Sequence, residues 1–248
     1  PASWVEEMMK PHVSDTGGDS YCYQMWKCSN PKTARADGAY GQYIIVMPNE
    51  DMVAVVTQVI REGKAGRRER QMLFKDVLGA IKSEALPKSA ADFRLLQKKS
   101  ASYVLPYAEG RSAATSKAVL NKTFTFDKNA YGWKSVRIVK VGKKLKLFID
   151  TEDCGTNEIE CGYRKWTLSE VATKFPPNAR GNTKGAFSGF TSPFKASASY
   201  GWTRDGKLNV KVLYVDWMSG VKLQFDFVQN QMTLQENYKS KASLLRFK

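Results

Sequence analysis

Gln42-Tyr43-Ile44-Ile45-Val46-Met47, then Pro48-Asn49-Glu50-Asp51, then Met52-Val53-Ala54-Val55-Val56-Thr57 is the stretch on which the reading of the fold turns. Two near-continuous runs of β-branched and apolar residues flank a tight-turn sequence, which predicts a β-hairpin. Neither run alternates polar with apolar residues, so both faces of the sheet should be covered, in practice by helices. Leu73, Val77, Leu78, Ile81 and Ala85 recur at helical spacing and Pro87 stops the run, which predicts one such helix. A second short helix is expected from Ser89.

Working outward, Ser3-x-x-Glu6 ahead of Met8 and Met9 is a capping box for a short helix that Pro11 ends. The chain begins at Pro1 almost directly on that helix, as expected of a piece of a longer polypeptide. Tyr21-Cys22-Tyr23-Gln24-Met25-Trp26-Lys27 follows Gly17-Gly18 and is rich in strand formers, so a strand is expected there. After about residue 100 the pattern changes to short alternating segments: Thr123 to Phe126, Lys134 to Val139, Lys144 to Ile149, Phe194 to Trp202, Leu208 to Trp217, Val221 to Val228 and Met232 to Gln235. Arg204-Asp205-Gly206 and Met218-Ser219-Gly220 supply hairpin turns. Val221, Leu223, Phe225 and Phe227 form one apolar face opposite Lys222, Gln224 and Asp226. Such a meander predicts an all-β barrel or sandwich, filled by its own side chains. The 248 residues leave room for two domains, expected at 1–99 and 100–248.

Lys and Arg (39) against Asp and Glu (24) leave a formal charge of +15, which raises a nucleic-acid or anionic-envelope partner. The basic residues cluster in Arg61 to Arg70, whereas Lys140, Lys143, Lys144 and Lys146 are spread along a separate strand-like segment. That distribution predicts solvated faces rather than a groove, and no nucleic-acid partner is expected. No apolar run approaches the roughly 20 residues that cross a bilayer, so no membrane span is expected.

Four cysteines and one histidine do not make a zinc site at C-x-x-C spacing, and neither a metal nor a cofactor is expected. Cys22 and Cys28, in an extended run, would stand about 20 Å apart and beyond bridging. Gly155-Thr156-Asn157 can reverse the chain and join Cys154 to Cys161; a disulfide and two reduced thiols both remain open.

Tyr21 to Trp26, Ala36-Asp37-Gly38-Ala39-Tyr40-Gly41-Gln42-Tyr43-Ile44-Ile45-Val46, and Pro48-x-x-Asp51 to Thr57 together resemble the end of the catalytic domain in the serine β-lactamase and penicillin-binding-protein-like hydrolases, close to their esterase and amide-hydrolase branch. The resemblance covers about residues 1–87. It implies an α+β fold, with the carboxy-terminal strands and helix of a β-lactamase- or transpeptidase-like domain followed by the antiparallel all-β barrel or sandwich. It also implies a bacterial periplasmic or extracellular location. In that family a strand bearing a Lys-Thr-Gly, His-x-Gly or Trp-x-Gly triad lies beside the active site, and Ala36-Asp37-Gly38 take its place. Only the glycine matches, and the missing cation disfavours β-lactams. The implied substrate-binding residues are Asp37, Gly38, Tyr40, Gly41 and Gln42. A glycine there lets an acyl group lie against the strand edge; a turn or bulge explains Gly38 and Gly41 equally well.

The family's nucleophile, Ser-x-x-Lys at a helix start, has literal matches in Ser29-Asn30-Pro31-Lys32 and Ser192-Pro193-Phe194-Lys195, but proline breaks each and neither opens an apolar-periodic helix. Tyr-x-Asn does not occur. His12 reads as a surface residue. No catalytic residue is therefore expected in this chain. The expectation is a serine-hydrolase fragment, inactive alone, whose partners are a small ester or amide substrate and a missing amino-terminal half. An open sheet edge where that half is lost makes self-association possible. The alternative is a non-catalytic module that binds an anionic cell-envelope polymer or an apolar ligand.

Overall fold

The structure, a computed structural model, describes residues 1–14, 20–39, 41–58, 71–113, 117–152, 155–171, 193–215, 220–236 and 241–248. It divides into two compact units, Pro1–Ala90 and Ala91–Lys248. Among the described residues strands account for 47% and helices for 18%, so the α+β expectation is overturned: the described structure is mostly β.

In the first unit, helix α1 (Ala2–Met8) precedes a four-stranded antiparallel sheet in the order β1 (Trp26–Lys27), β2 (Ala34–Gly38), β3 (Gln42–Met47), β4 (Met52–Val56). Pro48 to Glu50 form a single 3-10 turn, and Asp51 takes a left-handed φ of 46° before β4 pairs back at Met47↔Met52. Cross-strand register assigns the two faces. Arg35, Asp37, Tyr43, Ile45, Met47, Ala54 and Val56 share one. Leu73, Phe74 and Leu78 pack on its apolar part, and Tyr43, Ile45 and Met47 are buried there, worth about 1.5–3 kcal/mol each.

The other face departs from expectation. Met9, Cys22 and Met25 cover only its Ala34 and Val46 end. Ile44, Val53 and Val55 stay 49%, 59% and 64% exposed, because no described helix lies over them. The helix expected through Ala85 also stops early. Leu73–Val77 is a π-helical turn, Leu78–Ala80 a 3-10 turn, and Ile81 is extended. Gly79, a weak helix former, sits in that last turn, and Val77 and Ile81 are exposed, so no burial rewards another turn.

The predicted strand at Tyr21 to Lys27 shrinks to two residues. Cys22 N–H bonds Met25 O at 2.8 Å, Gln24 adopts a φ of 59°, and Lys27 N–H bonds Ser20 O at 2.8 Å, so the chain reverses between Tyr21 and Trp26, whose rings meet edge-on. Cys22 and Cys28 are therefore not spread along an extended run. Both are buried free thiols.

The second unit opens with helix α2 (Ala90–Ser102), none of whose residues is buried. Nine strands then form one curled path: β14 (Ser243–Arg246), β13 (Gln231–Glu236), β12 (Gly220–Asp226), β11 (Leu208–Tyr214), β10 (Phe194–Trp202), β8 (Gly155–Tyr163), β7 (Lys144–Thr151), β6 (Trp133–Val141), β5 (Thr123–Thr125). Strand β9 (Thr167–Val171) pairs with β10. The two ends of the path meet where Thr125 and Lys248 exchange backbone hydrogen bonds of 2.9 Å each. The sheet is not wholly antiparallel, since β8 and β10 run parallel at Cys161↔Ala198 and Tyr163↔Tyr200.

Alternation fills the interior. In β11, Leu208, Val210, Val212 and Tyr214 are buried and Asn209, Lys211 and Leu213 are not. Trp133, Trp202, Tyr200 and Phe225 join one continuous core with the inward residues of the other strands. Gly155 to Asn157, read as a reversing turn, instead begin β8. Cys161 is a free thiol inside the core whose pKa burial pushes far up, while Cys154 lies outside the described residues.

Candidate functional site

Strands β2 and β3 bring three of the implied substrate-binding residues, Gly38, Gly41 and Gln42, to one turn. Gly38 pairs with Gln42 across it, and Gly41 N–H bonds Gly38 O at 3.2 Å with a φ of 87° that only glycine adopts freely. The Gln42 side-chain amide donates to the Gln58 carbonyl, and the Gln58 amide donates to the Gly41 carbonyl at 2.7 Å, which ties the residues after β4 to the β2–β3 turn. A Cβ built on Gly38 would stand 2.9 Å from Gln42 Cβ, so cross-strand clearance alone requires glycine here. Tyr40 lies outside the described residues.

Asp37 does not join this group. It stands on the opposite face, where its Oδ2 accepts from Arg35 Nε at 3.1 Å. Arg35 is 4% exposed; its guanidinium also donates to the Lys27 carbonyl at 3.4 Å and touches Cys28 Sγ at 3.6 Å. The sequence reading passed over Arg35, although its i, i+2 spacing from Asp37 in a strand places both on one face. Arg35 therefore stands on the face opposite Ala36 and Gly38 and brings no cation to that side of the strand.

β1 pairs with β2 only at Trp26↔Arg35 and Lys27↔Ala34. The outer side of Ala36 and Gly38 consequently faces no described strand. This is a short backbone edge beside a residue without a side chain, the geometry in which an extended acyl group can hydrogen-bond to main chain.

Neither serine motif is assembled. Asn30 within Ser29 to Lys32 donates to Thr33 Oγ1 at 2.9 Å and Glu50 Oε1 at 3.2 Å, and Lys32 takes a φ of 50°, so the segment is a turn and not a helix start. Ser192 and the basic residues from Arg61 to Arg70 lie outside the described residues. His12 stacks on Tyr23 at 3.8 Å, and its Nε2 bonds the Glu7 carbonyl at 3.0 Å. Among the described residues no three His, Cys, Asp or Glu side chains group as metal ligands. No described helix is long and apolar enough to cross a membrane.

No family model, curated protein or solved structure matches the chain.

Proposed function

We propose that the first unit supplies one wall of a serine-hydrolase site of the β-lactamase and penicillin-binding-protein-like kind. A small ester or amide would be cleaved there through an acyl-enzyme whose nucleophile lies outside these 248 residues. The observation that carries the reading is the edge at Ala36 and Gly38, where β1 stops short. A substrate's acyl group lying along β2 would meet backbone and, at Gly38, no side chain, at the strand end that turns through Gly41 to Gln42. A periplasmic or extracellular location follows from the same reading. The exposed Ile44, Val53 and Val55 are then the seat of the missing half.

Two measurements test it. The 248-residue chain should neither hydrolyse chromogenic esters nor take up a fluorophosphonate label, and the codons preceding it in the gene should encode Ser-x-x-Lys followed by Tyr-x-Asn. Stoichiometric labelling of Ser29 or Ser192, or preceding codons without both motifs, would overturn the proposal.

A further inference from the structure

The charge is distributed unevenly between the units. Of the 39 Lys and Arg, 27 fall in residues 91–248, but only 13 of the 24 Asp and Glu do, so nearly the whole excess belongs to the second unit. The strand register then decides where part of it collects. Lys144 stands opposite Gly162, and Gly162 bridges to Lys165, so Lys143, Lys144, Arg164 and Lys165 come together from two turns at one end of the curled sheet. The Tyr200 hydroxyl draws in a third segment: it bonds the Ser112 carbonyl at 3.0 Å and the Lys143 carbonyl at 3.4 Å, which brings Arg111 beside them. The Arg164 guanidinium lies 5.7 Å over the Tyr163 ring, itself 6.0 Å from the Tyr200 ring.

All five cations are exposed. Glu160 neutralises Lys144 at 2.6 Å and also takes Lys146, whereas Arg111, Lys143, Arg164 and Lys165 meet no carboxylate among the described residues. Elsewhere in the same unit Lys207 is held by both Asp205 and Asp226. Glu109, two residues before Arg111, forms no ion pair with it among the described residues. Four uncompensated cations held at one end by backbone ties make a fixed positive field, and such a field recognises anions spaced along a chain.

We propose that this end of the second unit, centred on Arg111, Lys143, Arg164 and Lys165, binds a linear polymer with repeating phosphate groups. The proposal is independent of the hydrolase reading of the first unit. An anionic bilayer would offer phosphates as well, and the vesicle arm of the test separates it from a linear polymer.

The test uses the full chain and inorganic polyphosphate as probe, with binding followed by titration at several salt concentrations. Binding should weaken with salt with a log–log slope of about 3, as four flexible-chain phosphate contacts require. Arg164→Glu/Lys165→Glu should weaken it at least tenfold, and Lys143→Glu should do so independently, with far-UV circular dichroism unchanged. Lys128→Glu/Lys134→Glu changes the net charge equally on exposed residues at the opposite end of β6 and should leave affinity within about threefold. Equal losses in both double variants, no salt-dependent binding, or binding to anionic vesicles without binding to polyphosphate would each overturn the proposal.

Discussion

Gln42 and Gln58 clasp each other's chain: the amide of Gln42 donates to the Gln58 carbonyl, and the amide of Gln58 donates to the Gly41 carbonyl at 2.7 Å. The clasp binds the turn that carries Gly38 to the residues following β4. Gln42→Ala removes one partner of a part-buried pair and should cost the first unit about 1 kcal/mol. Thermal unfolding should show a melting temperature lower by several degrees. An unchanged one would mean that Gln42 serves only a ligand.

Gly38 faces Gln42 so closely that even a methyl group would sit 2.9 Å from Gln42 Cβ. Gly38→Ala should therefore destabilise by about 1–3 kcal/mol, the usual cost of overpacking. Gln42→Gly removes the obstructing atom. A urea double-mutant cycle should find Gly38→Ala/Gln42→Gly less destabilised than the sum of the two single changes by at least about 0.5 kcal/mol.

Two tyrosines in the second unit should respond oppositely to loss of their hydroxyl. Tyr131 OH donates to Glu236 Oε1 at 3.1 Å and shares a 2.9 Å bond with Ser243 Oγ, with Glu236 only 1% exposed. Tyr131→Phe strips a partner from a buried carboxylate and should cost about 1–3 kcal/mol. The Tyr214 hydroxyl is buried with no partner among the described residues, and burial alone raises its pKa. Tyr214→Phe should be neutral or stabilising by up to about 1 kcal/mol. Urea unfolding of the two variants side by side decides both.

Acid should loosen the second unit through Asp226. Burial would push its carboxyl up, but the Gln229 and Val228 N–H groups and the Lys207 ammonium outweigh burial and hold it below the ordinary value of 3.8. A carboxylate depressed in the folded state contributes fully above the unfolded value and loses that contribution as pH falls through the folded one. Urea midpoints should thus fall below pH about 4, and Asp226→Asn should flatten that fall.

β4 offers an unpaired outer edge, among the described residues, beside exposed Val53 and Val55. A few hundred Å2 of apolar surface at about 25 cal/mol per Å2 favours association by several kcal/mol. Sedimentation should detect a reversible dimer that Val53→Lys/Val55→Lys returns to monomer. A monomer at all concentrations would remove the prediction.

Local pattern determined much of this protein on its own. The Met47 to Met52 hairpin followed from a turn sequence between two apolar runs. The inward Val221, Leu223 and Phe225 followed from period-two alternation, which is a property of the strand itself. Strands β8 and β9 were missed because Asn157 and Thr167 are buried polar residues that blunt the alternation. β14 is four residues long and depends on pairing with β13.

What the tertiary structure decided concerns residues distant in sequence. Whether an apolar run is covered depends on which element reaches it, so Ile45 is buried while Ile44 is exposed. Asp37 and Gly38 are adjacent, yet opposite faces of one strand separate them. Lys143 and Lys165, spread along the sequence, come to one end of a sheet because β7 and β8 pair there and Tyr200 ties a further segment across. Alternation and turn chemistry act over a few residues and are legible in order. Register, coverage and the gathering of charge are set by contacts between distant segments, whose energies no local pattern contains.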